Sequence, residues 1–266
     1  MTASINGTAG ITFNDGSVLG SQLGIFNRII DGGFTINQRG YVSGTSLPSG
    51  TYGHDRWKGG ASAGTYTFTQ GALGVNTTIT ITAGSIIQVV EGCNLPEGGT
   101  YVLSWTGTAQ GRLNGGTYGS SGTVTVTGWV AGTNLNVEFN TGTCGNVQLE
   151  KGSTATSFDY RPYGTELALC QRYFELTSPI GVIATSNMCY GNIIYLVAKR
   201  SAPSFTVRSG GLRWIQFGVV DVSSTSALSI NVSSNNAVYF AQAVSGVAAG
   251  GVILVSQNTL EVNSEL

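Results

Sequence analysis

Charged side chains are scarce in this chain. Of 266 residues, 12 are basic and 13 acidic, about 9% where a quarter is usual, and the formal net charge is −1. A nucleic-acid binder needs a dense basic face that releases counterions, so this balance excludes that class. A disordered acidic tail is excluded as well, because apolar residues make up 41% of the chain. Apolar runs long enough to span a bilayer are lacking, and Met1 to Gly10 has neither the basic start nor the apolar stretch of a secretory signal. A soluble product of the cytosol that makes it, without membrane insertion, is therefore expected. Histidine occurs once, as His54, which leaves little for metal clusters or for a Ser-His-Asp triad. The four cysteines, Cys93, Cys144, Cys170 and Cys189, have no C-x-x-C spacing and are too few for a disulfide scaffold. They read as small buried apolar residues, with a Cys93–Cys144 bridge as the alternative.

What the chain has in quantity is 40 Gly, 31 Thr, 27 Ser and 18 Asn. Glycine at this density costs a helix about 1 kcal/mol per interior position, whereas Thr, Val, Ile, Tyr and Phe suit a pleated, half-buried surface. Long helices are thereby excluded and an all-β fold is expected. Thr65 to Thr69, Thr77 to Thr82, Thr123 to Thr127 and Leu135 to Phe139 all alternate with period two, one face in and one face out. Apolar runs at Ile86 to Val90, Tyr101 to Trp105 and Val147 to Leu149 bring the count to about seven or eight strands, as in a jelly-roll β-sandwich.

The organisation along the chain follows. Residues 1–24 form an extended N-terminal arm, with Ile5, Ile11, Phe13 and Val18 between the turn pairs Asn6-Gly7 and Asp15-Gly16. It reads either as a flexible leader or as an anchor that adds strands to a neighbour through Ile5, Ile11 and Phe13. Residues 25–163 form the sandwich. Residues 164–176 hold one short helix, where Leu167, Cys170, Gln171 and Phe174 share a face and Thr165 can cap the first turn. Residues 177–266 form a second small β domain, with strands expected at Asn192 to Ala198, Phe205 to Val207, Trp214 to Phe217, Ala227 to Val232, Ala237 to Gln242 and Val252 to Val255.

Catalytic chemistry finds little support. Asp55 follows His54 directly and so points to the other side of a strand, where it cannot orient the ring; His54 reads as a turn residue beside a buried Trp57. Paired carboxylates for glycan cleavage would have to come from Asp31, Asp55, Glu138, Glu150 and Asp159. Nearby basic residues account for most of these acids: Arg56 or Lys58 for Asp55, and Lys151 or Arg161 for Glu150. Asp31, Glu150 and Asp159 are also candidates for a structural calcium ion, and no other cofactor is expected.

Carbohydrate recognition asks only for an exposed aromatic face and short polar side chains, and the composition supplies both. Tyr52, Tyr66, Trp105, Tyr118 and Trp129 lie in the sandwich; Tyr118 sits in the loop Gly115-Gly116-Thr117-Tyr118-Gly119, where no core demands it. Trp57, Trp105 and Trp129 occupy strand-like positions that favour a core over a platform, and Trp214, Tyr190 and Tyr239 pose the same choice, with the core reading favoured for each aromatic other than Tyr118. The candidate sugar-contacting residues are Tyr118, Tyr52, Trp129 and Trp214.

Three stretches carry a family resemblance as a set: Asn27 to Gly40 (N-R-I-I-D-G-G-F-T-I-N-Q-R-G), His54-Asp55-Arg56-Trp57, and Val147 to Tyr163 (V-Q-L-E-K-G-S-T-A-T-S-F-D-Y-R-P-Y) followed by Glu166 to Phe174. Over residues 25–175 the chain resembles bacteriophage tail-fibre and minor virion proteins whose middle domain is similar to a carbohydrate-binding-module jelly roll. The arm is similar to leaders of virion proteins from aquatic phages, and Thr259 to Leu266 resembles the final strand of fibre tip domains. The resemblance implies a non-enzymatic virion protein, a tail fibre or receptor-binding appendage that meets a host surface glycan, attached to other virion proteins through its arm. Together with the small apolar content of arm and tip, it also implies a homotrimer. The alternatives it leaves are a capsid decoration, head-fibre or baseplate protein, and a polysaccharide depolymerase. In such a sandwich a Gly32-Gly33-Phe34 strand is expected to lie near the strand at Val147 to Glu150.

Overall fold

A computed structural model describes residues 4–6, 10–12, 18–19, 27–178, 180–185, 188–208, 212–216, 220–224, 229–233, 237–243, 249, 252–255 and 260–266. Among these residues the fold is all-β and sandwich-like, built from curled antiparallel sheets with one short α-helix. In the arm, β1 (Ser4–Asn6), β2 (Gly10–Thr12) and β3 (Val18–Leu19) form a three-stranded sheet in that order. Its register sets Ile5 opposite Ile11 and Ile11 opposite Leu19. Phe13 lies outside the described residues.

The sandwich follows with β4 (Ser46–Leu47), β5 (Lys58–Thr67), β6 (Ile79–Val90), β7 (Gly99–Thr106), β8 (Gly111–Leu113), β9 (Val124–Trp129), β10 (Leu135–Phe139) and β11 (Gly142–Lys151). One layer runs β4-β5-β6-β10-β8 and the other β11-β7-β9. Strand β11 belongs to both: Gly142 to Cys144 pair with β6, and beyond a bulge between Gly145 and Gln148 the strand pairs with β7. The β5–β6 hairpin bends at Gly84, which sits at φ 64 facing Ala63 at φ 63. A side chain at Gly84 would collide with the Ala63 carbonyl, so the two strands approach there only because glycine has none.

Alternation fills the space between the layers. Leu135, Val137 and Phe139 of β10 point inward and are fully buried, where they join Phe34, Trp57, Tyr66, Tyr101, Leu103 and Val147. Each such side chain contributes about 1.5–3 kcal/mol by leaving water. Gly32-Gly33-Phe34 is a turn and not a strand. Asp31 and Phe34 adopt left-handed φ values of 53° and 49°, and the Asp31 carboxylate accepts the Thr35 and Ile36 amides at 2.7 and 3.1 Å. The expected neighbourhood holds all the same. The Val147 amide donates to the Gly32 carbonyl at 2.8 Å and the Arg28 amide to the Leu149 carbonyl at 2.9 Å.

The helix, α1 (Tyr163–Gln171), is shorter than its apolar spacing predicts, and Phe174 opens a strand, β12 (Phe174–Thr177). Pro162, not Thr165, is its N-cap, with its carbonyl accepting from Thr165 and Glu166 at 2.9 and 3.1 Å. Its far end is held from outside: the Lys199 ammonium donates to the Gln171 carbonyl and the Arg200 amide to the Arg172 carbonyl.

The remaining strands are β13 (Ile180–Ala184), β14 (Met188–Ile194), β15 (Ser204–Val207), β16 (Leu212–Gln216), β17 (Val220–Ser224), β18 (Ser229–Ser233), β19 (Ala237–Ala243), β20 (Val252–Val255) and β21 (Leu260–Asn263). They form a three-stranded sheet, β12-β21-β15, and a seven-stranded sheet, β17-β16-β20-β13-β14-β19-β18. Residues 195–198, expected to be strand, are irregular because Lys199 is drawn inward to an ion pair with Glu175 at 2.8 Å, both side chains fully buried. Burial pushes the Glu175 carboxyl up and the Lys199 ammonium down from their ordinary values.

The segment after β21 returns to the sandwich. Glu265 forms ion pairs with Arg56 and with Arg39, the latter at 3.2 Å, and the Leu266 carbonyl accepts from Tyr52 and Lys58 at 2.6 Å each. Arg56 is 1% exposed, so removing its counter-charge strands a buried guanidinium. Glu265→Ala is expected to lower the unfolding free energy by about 3 kcal/mol. Urea denaturation checks this, and a change within about 0.5 kcal/mol of zero would contradict the clamp.

Candidate functional site

On β10, core packing of Leu135, Val137 and Phe139 sends Asn136 and Glu138 to the outer face of their layer. On β8, Gly111 and Leu113 face inward and Arg112 outward; on β6, buried Ile86 leaves Ile87 outward; on β5, buried Trp57 leaves Lys58 outward. The register places Arg112 opposite Glu138, Glu138 opposite Ile87 and Ile87 opposite Lys58. Isolated bridges extend both ends: Gly111–Gly119 brings Tyr118 beside Arg112, and Tyr52 pairs with Lys58. The result is a row, Tyr118–Arg112–Glu138–Ile87–Lys58–Tyr52, which at 4.8 Å per strand spans about 24 Å.

Glu138 organises the first half of this row. Its carboxylate accepts from Arg112 Nε at 2.8 Å, Tyr118 Oη at 3.1 Å and Ser85 Oγ at 2.7 Å. The Arg112 guanidinium lies 4.4 Å from the Tyr118 ring centre, over its face. Burial and the Glu138 carboxylate together hold the Tyr118 hydroxyl above its ordinary pKa, so it stays a donor. Asn114 and Asn136 are exposed beside this cluster, and the Asn114 amide donates to the Asn136 carbonyl at 2.8 Å. At the other end the Tyr52 ring is flanked by Arg39 and Lys58, at 5.0 and 5.6 Å. Burial, with Glu265 next, pushes its hydroxyl up to about 12.

Tyr118 and Tyr52 thus share one face, whereas Trp129 and Trp214 do not join it. Trp129 ends β9 in the opposite layer, packs against the core and donates to the Thr133 carbonyl at 3.2 Å. Trp214 belongs to β16 in the seven-stranded sheet, opposite Val222 and Val255. Arg112, Asn136 and Ser85 are additions that sequence reasoning missed. The alternation of Leu135 to Phe139 marks Asn136 as outward, but a three-residue strand gives Arg112 no such signal.

The other candidates resolve individually. Among the described residues no three His, Cys, Asp or Glu side chains gather as a metal site, so Asp31, Glu150 and Asp159 do not form one. Asp31 is buried against the Thr35 and Ile36 amides, Glu150 accepts the Thr156 amide at 2.9 Å, and the Asp159 amide donates to Gln148 at 2.7 Å. The four cysteines are free thiols: Cys93 is exposed and the other three are buried, so the Cys93–Cys144 bridge is not formed. Ion pairing also departs from sequence proximity. Asp55 faces Arg39 at 3.4 Å, Arg161 faces Glu166 at 2.9 Å, and Lys151 donates to the Gly98 carbonyl. His54 is buried between aromatic rings, with Nδ1 3.0 Å from Tyr66 Oη and Nε2 3.3 Å from Gln70 Oε1.

Comparison with family models, with curated proteins and with solved structures yields no match to this chain.

Two adjacent buried groups give the chain opposing pH responses. Burial lowers the His54 pKa from 6.5 to about 4, with the Gln70 hydrogen bond only partly offsetting it. Burial raises the Asp55 carboxyl from 3.8 to about 7, against the pull of Arg39 and Gln38. His54 therefore contributes stability present above pH 6.5 and lost as pH falls through about 4. Asp55 contributes stability present below pH 3.8 and lost as pH rises through about 7. His54→Gln is expected to keep the Asp55 contribution, a fall in stability of about 4 kcal/mol as pH rises from below 3.8 to about 7. Asp55→Asn is expected to show the reverse slope. Urea midpoints along a pH series check both, and three parallel profiles would contradict them.

Proposed function

We propose that the chain is a non-catalytic virion protein of a bacteriophage, a tail fibre or receptor-binding appendage that recognises a glycan of the host surface. The observation that carries this reading is the outer-face row in which Glu138 orients Tyr118 and Arg112 beside the exposed Asn114 and Asn136. A sugar ring needs an apolar face to lie on and fixed donors and acceptors for its hydroxyls, and this row combines a ring, a guanidinium, amides and hydroxyls on a rigid sheet.

A binding role without cleavage agrees with the chemistry of the row. Glu138 is the row's carboxylate and is engaged by Arg112, Tyr118 and Ser85, whereas glycoside cleavage needs two carboxyl groups flanking the bond. Attachment through the arm agrees with its topology. Among the described residues β1 and β3 pair only with β2, so their outer edges are available to strands of another virion protein.

Binding of purified host surface polysaccharide, followed by titration calorimetry, tests the reading. Tyr118→Ala and Arg112→Ala are each expected to weaken binding about tenfold, the loss of about 1.4 kcal/mol. Tyr160→Ala removes an exposed ring away from the row and is expected to change nothing. Absence of binding by the parent chain, or equal affinity in Tyr118→Ala, would contradict the assignment. Release of new reducing ends would contradict its non-catalytic part.

A further inference from the structure

The turn that follows β8 carries chemistry of its own. The Gly116 amide donates to the Leu113 carbonyl at 2.9 Å, and the two residues between them, Asn114 and Gly115, sit at φ 47° and 73°. Two successive left-handed residues make a type I′ turn, for which Asn-Gly is the preferred pair. The same pair is the one in which an asparagine side chain reacts most readily with its own backbone, because glycine puts no side chain in the way of its amide nitrogen.

The surroundings leave this pair open to that reaction. Asn114 and Gly115 are both exposed, and a Cβ at Gly115 would meet nothing within 4 Å. Among the described residues neither the Asn114 carboxamide nor the Gly115 amide has a hydrogen-bond partner, although the backbone amides on either side, of Asn114 and Gly116, both do. The described asparagines that precede Thr or Ser are held instead. Asn76 donates to Asn146 Oδ1 at 2.6 Å, Asn140 accepts the Gln110 amide at 2.9 Å and Asn263 accepts the Glu265 amide at 3.0 Å. The chain's other Asn-Gly pair, Asn6-Gly7, lies partly outside the described residues.

We propose that Asn114 is a self-modifying site, at which the chain converts a neutral carboxamide into a carboxylate without an enzyme. The Gly115 amide nitrogen, its proton given up to solvent, attacks Asn114 Cγ. The new C–N bond closes a five-membered succinimide, and the side-chain nitrogen takes a proton back from solvent and leaves as ammonia. Water then adds to either carbonyl of the ring and opens it, to aspartate or to isoaspartate. No electrons are exchanged, and water is the only co-reactant.

The position gives the change an effect. Asn114 stands beside the Arg112–Glu138–Tyr118 cluster, and its backbone amide is tied to the Asn136 carbonyl. A carboxylate only accepts hydrogen bonds where the carboxamide also donates them, so the face loses a donor and gains a negative charge near Glu138. This effect rests on the glycan reading; the modification itself does not.

Ageing the full chain in mildly alkaline buffer at physiological temperature tests the site without a ligand. The intact mass is expected to rise by the difference between a hydroxyl and an amino group. The change is expected at Asn114 in the tryptic peptide Leu113–Lys151, with a share of the product methylated by an isoaspartyl methyltransferase. Asn114→Gln, whose ring closure needs a six-membered imide, is expected to leave that peptide unchanged. Mapping of the parent chain alone covers the case in which this variant does not fold. An Asn114 that stays unconverted, or a Leu113–Lys151 peptide that still converts at the parent's rate in Asn114→Gln, overturns the proposal. For the effect on the face, the converted chain and Asn114→Asp are each expected to bind host polysaccharide about tenfold more weakly than fresh parent chain. Equal affinity overturns that effect, whereas no binding by fresh parent chain overturns the glycan reading and leaves the modification standing.

Discussion

The guanidinium of Arg56 is buried where water cannot reach it, and it is tolerated there only because Glu265 lies against it. Its backbone is held at φ 70, a left-handed value that costs a bulky residue energy. The Tyr173 ring, 3.6 Å from the guanidinium, and the Val89 carbonyl at 2.6 Å complete its surroundings. A charge buried without such partners costs several kcal/mol, so the stretch around Arg56 can settle only when the segment after β21 has docked. The clamp therefore joins the β12-β21-β15 sheet to the sandwich through groups 209 residues apart in the chain.

The same stretch shapes the outer face. From Tyr52 to Lys58 successive residues take up opposite duties: His54 and Trp57 enter the aromatic core, Asp55 and Arg56 enter the ionic network, and Tyr52 and Lys58 reach the surface at Leu266. Trp57 donates to the Asp31 carbonyl at 3.0 Å, which ties the turn at Gly32-Gly33 to the same point. One end of the proposed glycan face is consequently fixed by the clamp. The other end, at Tyr118, is fixed locally by Glu138. Rigidity of both ends suits a surface that has to present donors and rings in a set geometry.

Much of the sandwich was legible because period two is a local signal. Leu135 to Phe139 coincides with β10, and Trp57 and Trp105 lie in the core, as their strand-like positions suggest. Gly32-Gly33-Phe34 misled because its turn depends on where the Asp31 carboxylate points. The helix ended early for a reason that lies outside it, the capture of its last carbonyls by Lys199 and Arg200. The acids were paired with sequence neighbours, whereas Arg56 finds Glu265 and Arg39 finds both Asp55 and Glu265. Side-chain pairing over such separations leaves no trace in local pattern. For the site, Tyr118 was legible as a loop aromatic without a core to fill, whereas Tyr52 carried no such signal, and their common face follows from strand register across β8, β10, β6 and β5.

Titrating the isotopically labelled chain with oligosaccharides cut from the host surface polysaccharide, while following backbone amide resonances, tests the proposed glycan face most directly. Saturable shifts are predicted at Arg112, Asn114, Tyr118, Asn136 and Glu138, with Trp129 and the outer face of β14 unmoved. Shifts confined to residues outside that face, or none at high oligosaccharide concentration, would contradict the proposal.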